Sequence, residues 1–433
     1  MKKYHNYEKF KINDVGKNKF YGWSIDKNER FLLGNFIVTH NSRLQGGKDS
    51  ASPRYIHTHL EAIVEKLFRK EDSIVLKQLD DDGLLVEPET YYPVVPLLLV
   101  NGCVGIGTGF STDIPPHDPS DIVNLLKDRL YGSRKTLENI ALRPWWFGFK
   151  GAVMQQSDGV WVTKGLYSFN DDKKMVTITE LPVGIWTHDY KELLEELCQI
   201  NDKESGKPIL KNYDDLYNHV DIRFDLYLEP DYFYEAQDNI AEFEKRFHLT
   251  TTWRTSNMVA FDSNMTIRKY ECAGDMMEEF YLSRIAKYEE RRLKEIEQLK
   301  QNAIEADAKA RFLRGVLNDT IDLRRKSDEQ IVAIMKKHDL PPINEPRDLE
   351  QIDSYDYLLR LRIDRVKASA IVEAENAVMK ANEQLKALEN TTANELWLND
   401  LDEFNSSWSS MKTDRESLLN TNVVVKTKGK GKK

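Results

Sequence analysis

Cysteine is scarce in this 433-residue chain. Cys103, Cys198 and Cys272 lie far apart with no CxxC pair, which excludes a disulfide framework or zinc ribbon and points to a reducing compartment. No apolar run approaches the ~20 residues that cross a bilayer, so no membrane partner is expected, and no secretory leader opens the chain. A P-loop and any second glycine-rich nucleotide site are missing as well. So is an excess of positive charge: the net charge is -9, which argues against a uniformly basic nucleic-acid coat but leaves room for a local basic groove. Between Asp275 and Leu317 there is no proline and a single glycine, Gly315, a composition that predicts one very long helix. The chain is too long for one ordinary core, so about two to four domains are expected.

The chain is organised around the stretch Ser42-Arg43-Leu44-Gln45-Gly46-Gly47-Lys48-Asp49-Ser50-Ala51-Ser52-Pro53-Arg54-Tyr55. Its glycines allow close backbone approach to a ligand, and Arg43, Lys48 and Arg54 are spaced to meet phosphates. A phenol is a poor nucleophile at its usual pKa of about 10. Beside a guanidinium and a bound metal it can ionise, attack phosphorus and hold a broken strand as a phosphotyrosyl ester. Taken alone, Arg54-Tyr55 is an ordinary surface pair. The whole stretch, however, closely resembles the active-site segment of eukaryotic-type type IIA DNA topoisomerases. That resemblance implies Tyr55 as the DNA-cleaving nucleophile, Arg54 as its electrostatic helper, and Arg43 and Lys48 as DNA contacts.

Residues 1–41 read as short β-type runs broken by glycine and asparagine, as a small hairpin would be. They are either an N-terminal strand pair of the main body or something else: Arg30 to Asn41, followed by Ser42, resembles the C-terminal end of an intein. The resemblance implies that Asn41 cyclises and cuts the backbone after it, that His40 protonates the leaving amine, and that the Ser42 hydroxyl takes the acyl group beforehand. Glu29 and Gly22 depart from the common intein pattern, which bears on the proton route. A split intein acting in trans and a truncated continuous one both fit.

Residues 42–115 form the expected cleavage platform, winged-helix-type by the resemblance. Leu60, Ile63, Val64 and Leu67 have helical spacing. His57 and His59, two apart, face away from each other on such a helix and are not a metal pair. Asp80-Asp81-Asp82-Gly83 reads as a solvated turn rather than a metal cluster. Val94 to Val100 reads as a buried strand-like run closed by a glycine-rich turn at Asn101 to Gly109. Gly105-x-Gly107-x-Gly109 is a poor dinucleotide motif without a following helix. Ile106 is a core residue on pattern alone. The resemblance places it instead as the apolar wedge that enters a base step and bends the duplex.

Residues 116–265 alternate short strands and helices, starting with an amphipathic helix capped by Ser120 or Asp121. Glu180-Leu181-Pro182-Val183 and Trp186-Thr187 resemble the family's α/β tower domain. Trp145, Trp146, Phe147 and Phe149 read as packing residues rather than base-stacking platforms. In 266–410 the long helix presents Tyr281, Ile285, Tyr288, Ile296, Leu299 and Ala303. A returning helix carries a heptad seam of Ile371, Ala374, Val378, Ala381, Leu385 and Leu388. Smaller helices and the Pro341-Pro342 turn lie between. Two antiparallel helices with a globular tip are either an intramolecular hairpin or, by the resemblance, a coiled coil ending in a helical dimerisation gate. Asn394 to Phe404 resembles the helix that closes back on the body. Residues 411–433 read as a basic disordered tail.

The expected fold class is therefore α+β multidomain: platform, tower, antiparallel coiled coil with gate, and a small β segment at 1–41. The resemblance implies the breakage-reunion part of an ATP-dependent type II DNA topoisomerase acting on double-stranded DNA as a homodimer. Mg2+ and ATP are expected to bind parts of the enzyme outside this chain, on an upstream ATPase and metal-domain polypeptide joined to it, for instance, by trans-splicing. No metal ligand is assigned within the chain. The expected location is the nucleus or, for a large DNA virus, a cytoplasmic viral factory or virion. A non-catalytic fragment serving as a coiled-coil interaction protein is the alternative.

Overall fold

The computed structural model describes residues 30–32, 38–40, 44–46, 60–107, 109–199, 209–218, 221–343, 354–361 and 368–421. In chain order, β1 (Arg30–Leu32) and β2 (Val38–His40) precede α1 (Val64–Leu67), β3 (Gln78–Asp81), β4 (Leu84–Pro88), α2 (Leu97–Asn101), β5 (Cys103–Ile106), β6 (Ser111–Ile114) and α3 (Pro119–Leu130). Next come β7 (Ala152–Ser157), β8 (Val160–Lys164), β9 (Leu166–Asn170), β10 (Met175–Glu180), α4 (Thr187–Gln199), β11 (Leu210–Asp215), β12 (Phe224–Leu228), α5 (Pro230–Asp238), α6 (Ile240–Arg246) and β13 (Thr250–Arg254). The chain continues through β14 (Met258–Phe261), β15 (Ile267–Tyr270), α7 (Ala273–Leu317), α8 (Asp328–Lys337), α9 (Asp356–Leu359), α10 (Ala368–Asn390) and α11 (Ala393–Thr421). It divides into two compact units, each assembled from separated segments: 1–65, 143–255 and 409–433 in one, 66–142 and 256–408 in the other. The α/β segment expected at 116–265 thus has both its ends in the second unit.

The first unit is built on an antiparallel four-stranded sheet, ordered β11-β12-β10-β9. Val176, Ile178, Phe224 and Leu226 from its central strands are fully buried against Tyr190 and Leu194 of α4 and Phe233 of α5. Alternation along β10 and β12 puts these residues on one face, which is why the helices cover that face. A three-stranded sheet, β13-β8-β7, stands beside it. Trp146 packs on Trp253 with ring centroids 5.1 Å apart, and Trp145 meets Phe147 edge-on at 6.0 Å. These aromatics are packing residues, as their sequence context implied.

The second unit carries the hairpins β3–β4, β5–β6 and β14–β15 and the long helix α7. The strand-like run at Val94 to Val100 is a correction: Val94 and Val95 are fully buried in a loop, and Leu97–Asn101 is one helical turn. A short apolar run has no periodicity that separates strand from helix, and Pro96 at the N-cap starts the turn. It ends at Gly102, whose φ is +68° and whose β-carbon would press on the Ile114 carbonyl. The cap of α3 is a second correction. Asp118 accepts from Ser120 N at 2.9 Å and Pro119 occupies the first turn, so the helix begins before either Ser120 or Asp121. Of the helix expected around residue 60, the described part is only Val64–Leu67, and Leu60 is exposed.

α7 runs for 45 residues and pairs with α10. The pairing is antiparallel: Arg314 binds Glu375, while Lys300 reaches Glu389 at 3.4 Å and Arg292 donates to the Thr391 carbonyl at 2.6 Å. Ile371, Ala374, Val378, Ala381, Leu385 and Leu388 are each half-buried along this seam. At its far end Ala308, Phe312, Ile321, Met335, Leu340, Tyr355 and Leu358 form a small separate core. α8 enters it through a reciprocal cap between Ser327 and Gln330. α11 continues to Thr421, eleven residues into the segment expected to be a disordered tail. No glycine or proline interrupts it, and Lys412 Nζ sits 5.1 Å over the Trp145 ring.

Candidate nucleic-acid interface

Arg43, Lys48, Arg54 and Tyr55 lie outside the described residues, as do His57, His59, Asn41 and Ser42; of His40 the structure gives the backbone, paired with Arg30 across β1–β2. What it does give is how the Ser42–Tyr55 stretch is fastened. The Leu44 carbonyl accepts the His188 backbone N–H at 3.0 Å, and Gln45 Nε2 lies 3.1 Å from His188 Nδ1. Gly46, with φ +63°, lies flat against Trp186, where any β-carbon would overlap the indole. Only glycine meets both demands. The start of α4 therefore holds the chain nine residues before Tyr55, within the first unit.

In the second unit, Ile106 ends β5 at the tip of a hairpin and is 93% exposed. An isoleucine that buries nothing is not a core residue, so the core alternative falls. Register pairs Ile106 with Ser111 and Val104 with Asp113, which puts the exposed Val104 and Ile106 on one face of the hairpin. Gly107 N donates to the Phe110 carbonyl at 2.7 Å and closes the turn. A stiff apolar prong of this kind can enter a base step.

Asp80-Asp81-Asp82-Gly83 is a hairpin turn with positive φ at Asp82 and Gly83, closed by Gly83 N donating to Asp80 Oδ1 at 2.7 Å. It is the solvated turn expected. Among the described residues no group of three or more His, Cys, Asp or Glu is placed to hold a metal ion. The described residues thus offer no fit for magnesium, and no step below runs through it. The three cysteines are free thiols.

One constellation was missed from sequence. Arg284 and Arg291 of α7 are buried, with Asp72 and Asp400 buried between them. Arg284 Nη2 donates to Asp72 Oδ2 at 2.6 Å, Arg291 Nη1 donates to Asp400 Oδ2 at 3.2 Å, and the Tyr288 hydroxyl donates to Asp400 Oδ2 at 2.9 Å. Trp397 stacks on Tyr281 and Tyr288 and donates through Nε1 to the Val94 carbonyl at 3.1 Å. The signal was present in the spacing: 281, 284, 288 and 291 follow the three-four repeat of one helix face. Arginines on such a face read as solvated until two aspartates arrive from distant segments.

An apolar prong on a glycine-bordered hairpin, a tethered Gly-Gly stretch, and a long antiparallel helix pair with its own tip core are the parts of a DNA-handling machine. The family profile for the A-type polypeptide of DNA gyrase/topoisomerase IV matches residues 34–402. The chain belongs to that family. It is 32% identical to DNA topoisomerase 2 of Penicillium chrysogenum, over 87% of this chain and 24% of that protein, and 30% identical to DNA topoisomerase 2 of Plasmodium falciparum, over 83% and 27%. The crystal structure of the Plasmodium falciparum topoisomerase II DNA-binding, cleavage and re-ligation domain is similar with a TM-score of 0.75 and 30% identity, covering 87% of this chain and 52% of that one. The chain thus spans about a quarter of the length of these two curated relatives.

Proposed function

We propose that this chain is the breakage-reunion part of a type II DNA topoisomerase, acting on duplex DNA as a dimer. Tyr55 Oη attacks a backbone phosphorus; a phenolic ester to the 5′ phosphate forms as the bond to the 3′ oxygen breaks and the phenolic proton is lost. Arg54 offsets charge on the phosphate, and Arg43 and Lys48 hold neighbouring phosphates. The freed 3′ hydroxyl reverses the attack, and because one ester replaces another, resealing needs no added energy source. Two copies act on opposite strands while a second duplex passes. ATP and magnesium are assigned to parts of the enzyme outside this chain. The 42–115 platform, the tower and the exit gate at the tip of the helix pair are assigned by the same reading.

The observation that carries the proposal is Ile106: 93% exposed on a braced hairpin, in a chain whose relatives are DNA topoisomerases. The test is to supply the complementary upstream part and trap denatured protein on DNA. Wild type should form covalent adducts and Tyr55→Phe none; adducts undiminished in Tyr55→Phe would remove the nucleophile assignment.

We also propose that residues 1–41 are the C-terminal segment of an intein, with His40, Asn41 and Ser42 at the junction. The antiparallel β1–β2 pairing supports a self-contained hairpin here, although the family match itself begins at residue 34. Co-expression with an N-terminal intein half should yield a product lacking residues 1–41, and Asn41→Ala should block it. An Asn41→Ala protein that still loses the segment would refute splicing.

A further inference from the structure

The β14–β15 hairpin lies alongside the hairpin that carries Ile106, and nothing above gives it a role. Asp113 N donates to the Asn257 carbonyl at 2.9 Å, Val259 N to the Thr112 hydroxyl at 3.3 Å, and Asn257 Nδ2 to the Ser111 hydroxyl at 3.0 Å. Reading forward along β14 therefore means reading backward along β6. Because β6 leaves its turn while β14 approaches its own, the two turns sit at the same end. Both tips point the way Ile106 points.

The register of β14–β15 sorts its side chains into two faces. Met258 pairs with Tyr270 on the buried face, whereas Phe261 pairs with Ile267 and Val259 with Lys269 on the other. Phe261 is 62% exposed and Met265, in the turn, 72%. Met265 also holds a φ of +60°, a conformation that glycine or asparagine adopts at less cost. The turn is braced from within: Asp262 Oδ1 accepts from Asn264 N and Thr266 N, and Glu279 of α7 accepts from Ser263 N, Arg268 and Tyr270. Both nearby carboxylates are thus neutralised by donors, and Lys269 is left on the outer face beside the apolar residues.

Charge chooses the occupant. The β3–β4 hairpin also exposes leucines, Leu79, Leu84 and Leu85, but they stand around Asp80, Asp81 and Asp82, a combination that repels a phosphate backbone. The β14–β15 face joins exposed apolar groups to a lysine instead, the combination that meets sugar–base edges and phosphate together.

We propose that β14–β15 is a second DNA-contacting prong, with Phe261 and Met265 against the sugar–base edge next to the step entered by Ile106 and Lys269 on a phosphate. This rests on the DNA reading above. The full chain, a fluorescent duplex and a salt titration test it. Phe261→Ser with Met265→Ser should weaken binding by about tenfold or more at an unchanged salt slope. Lys269→Gln should lower the slope by about one. A benzoylphenylalanine at position 265 should cross-link to the duplex. All three positions are solvent-exposed, and unaltered melting curves would confirm that folding is intact. If Ile106→Ala weakens binding while the double serine variant and Lys269→Gln match wild type, the second prong is wrong and the DNA reading stands. If the wild-type chain leaves the duplex free at low salt, both fall together.

Discussion

His117 is one imidazole in a place that admits no charge. It is 1% exposed, its Nδ1 donates to the Leu99 carbonyl at 3.2 Å, and its Nε2 is buried with no partner among the described residues. Burial pushes its pKa down from 6.5 to about 4, against the opposing effect of the Leu99 bond. Between those two values the unfolded chain binds a proton here that the folded chain does not, so stability falls as pH falls through the window. The loss is on the order of 3 kcal/mol once pH is below about 4. His117→Asn, which keeps a donor for the carbonyl, should flatten the dependence of thermal stability on pH between 7 and 4.5. An unchanged slope would show that other groups cause it. Gly46 teaches a related lesson. A glycine in a Gly-Gly pair suggested close approach to a ligand, whereas Gly46 is demanded by Trp186, 140 positions further along the chain. Sequence showed that the position was special, but not what pressed on it.

Along the elements, legibility followed periodicity. The α10 seam was plain because its apolar residues recur at three and four on a face otherwise rich in charge. The same rule hid the role of α7, since its face carries arginines whose partners come from elsewhere in the chain. Two arginines against two aspartates balance formally, and Tyr288 and Arg69 complete the cluster, Arg69 Nε lying 3.2 Å from Asp400 Oδ1. Removing one member leaves a buried charge without compensation, which typically costs about 3–5 kcal/mol. Asp400→Ala should therefore destabilise the unit formed by 66–142 and 256–408 on that scale in urea unfolding, and a loss under about 1 kcal/mol would mean that water enters to solvate the arginines. The Val94–Val100 run and the start of α3 were misjudged for one reason. A short apolar stretch and a cap one residue either side of a proline are settled by local geometry that composition does not carry.

For the whole molecule, five consecutive segments were expected, and two discontinuous units are found. Contacts between remote segments decide such units, and no composition shift marks them. The net charge of -9 likewise said little about where DNA would sit; the sign of charge beside each exposed apolar hairpin says more. The class of machine, by contrast, was legible from the Ser42–Tyr55 stretch and the paired helices, and family membership agrees with it. The central claim concerns one oxygen atom. With the upstream part supplied, the denatured complex on duplex DNA should be digested with nuclease and protease and its peptides weighed. The account predicts a nucleotide carried through its 5′ phosphate on the peptide containing Tyr55, and no such peptide from Tyr55→Phe. A nucleotide on any other residue, or an adduct that survives the loss of that phenol, would contradict it.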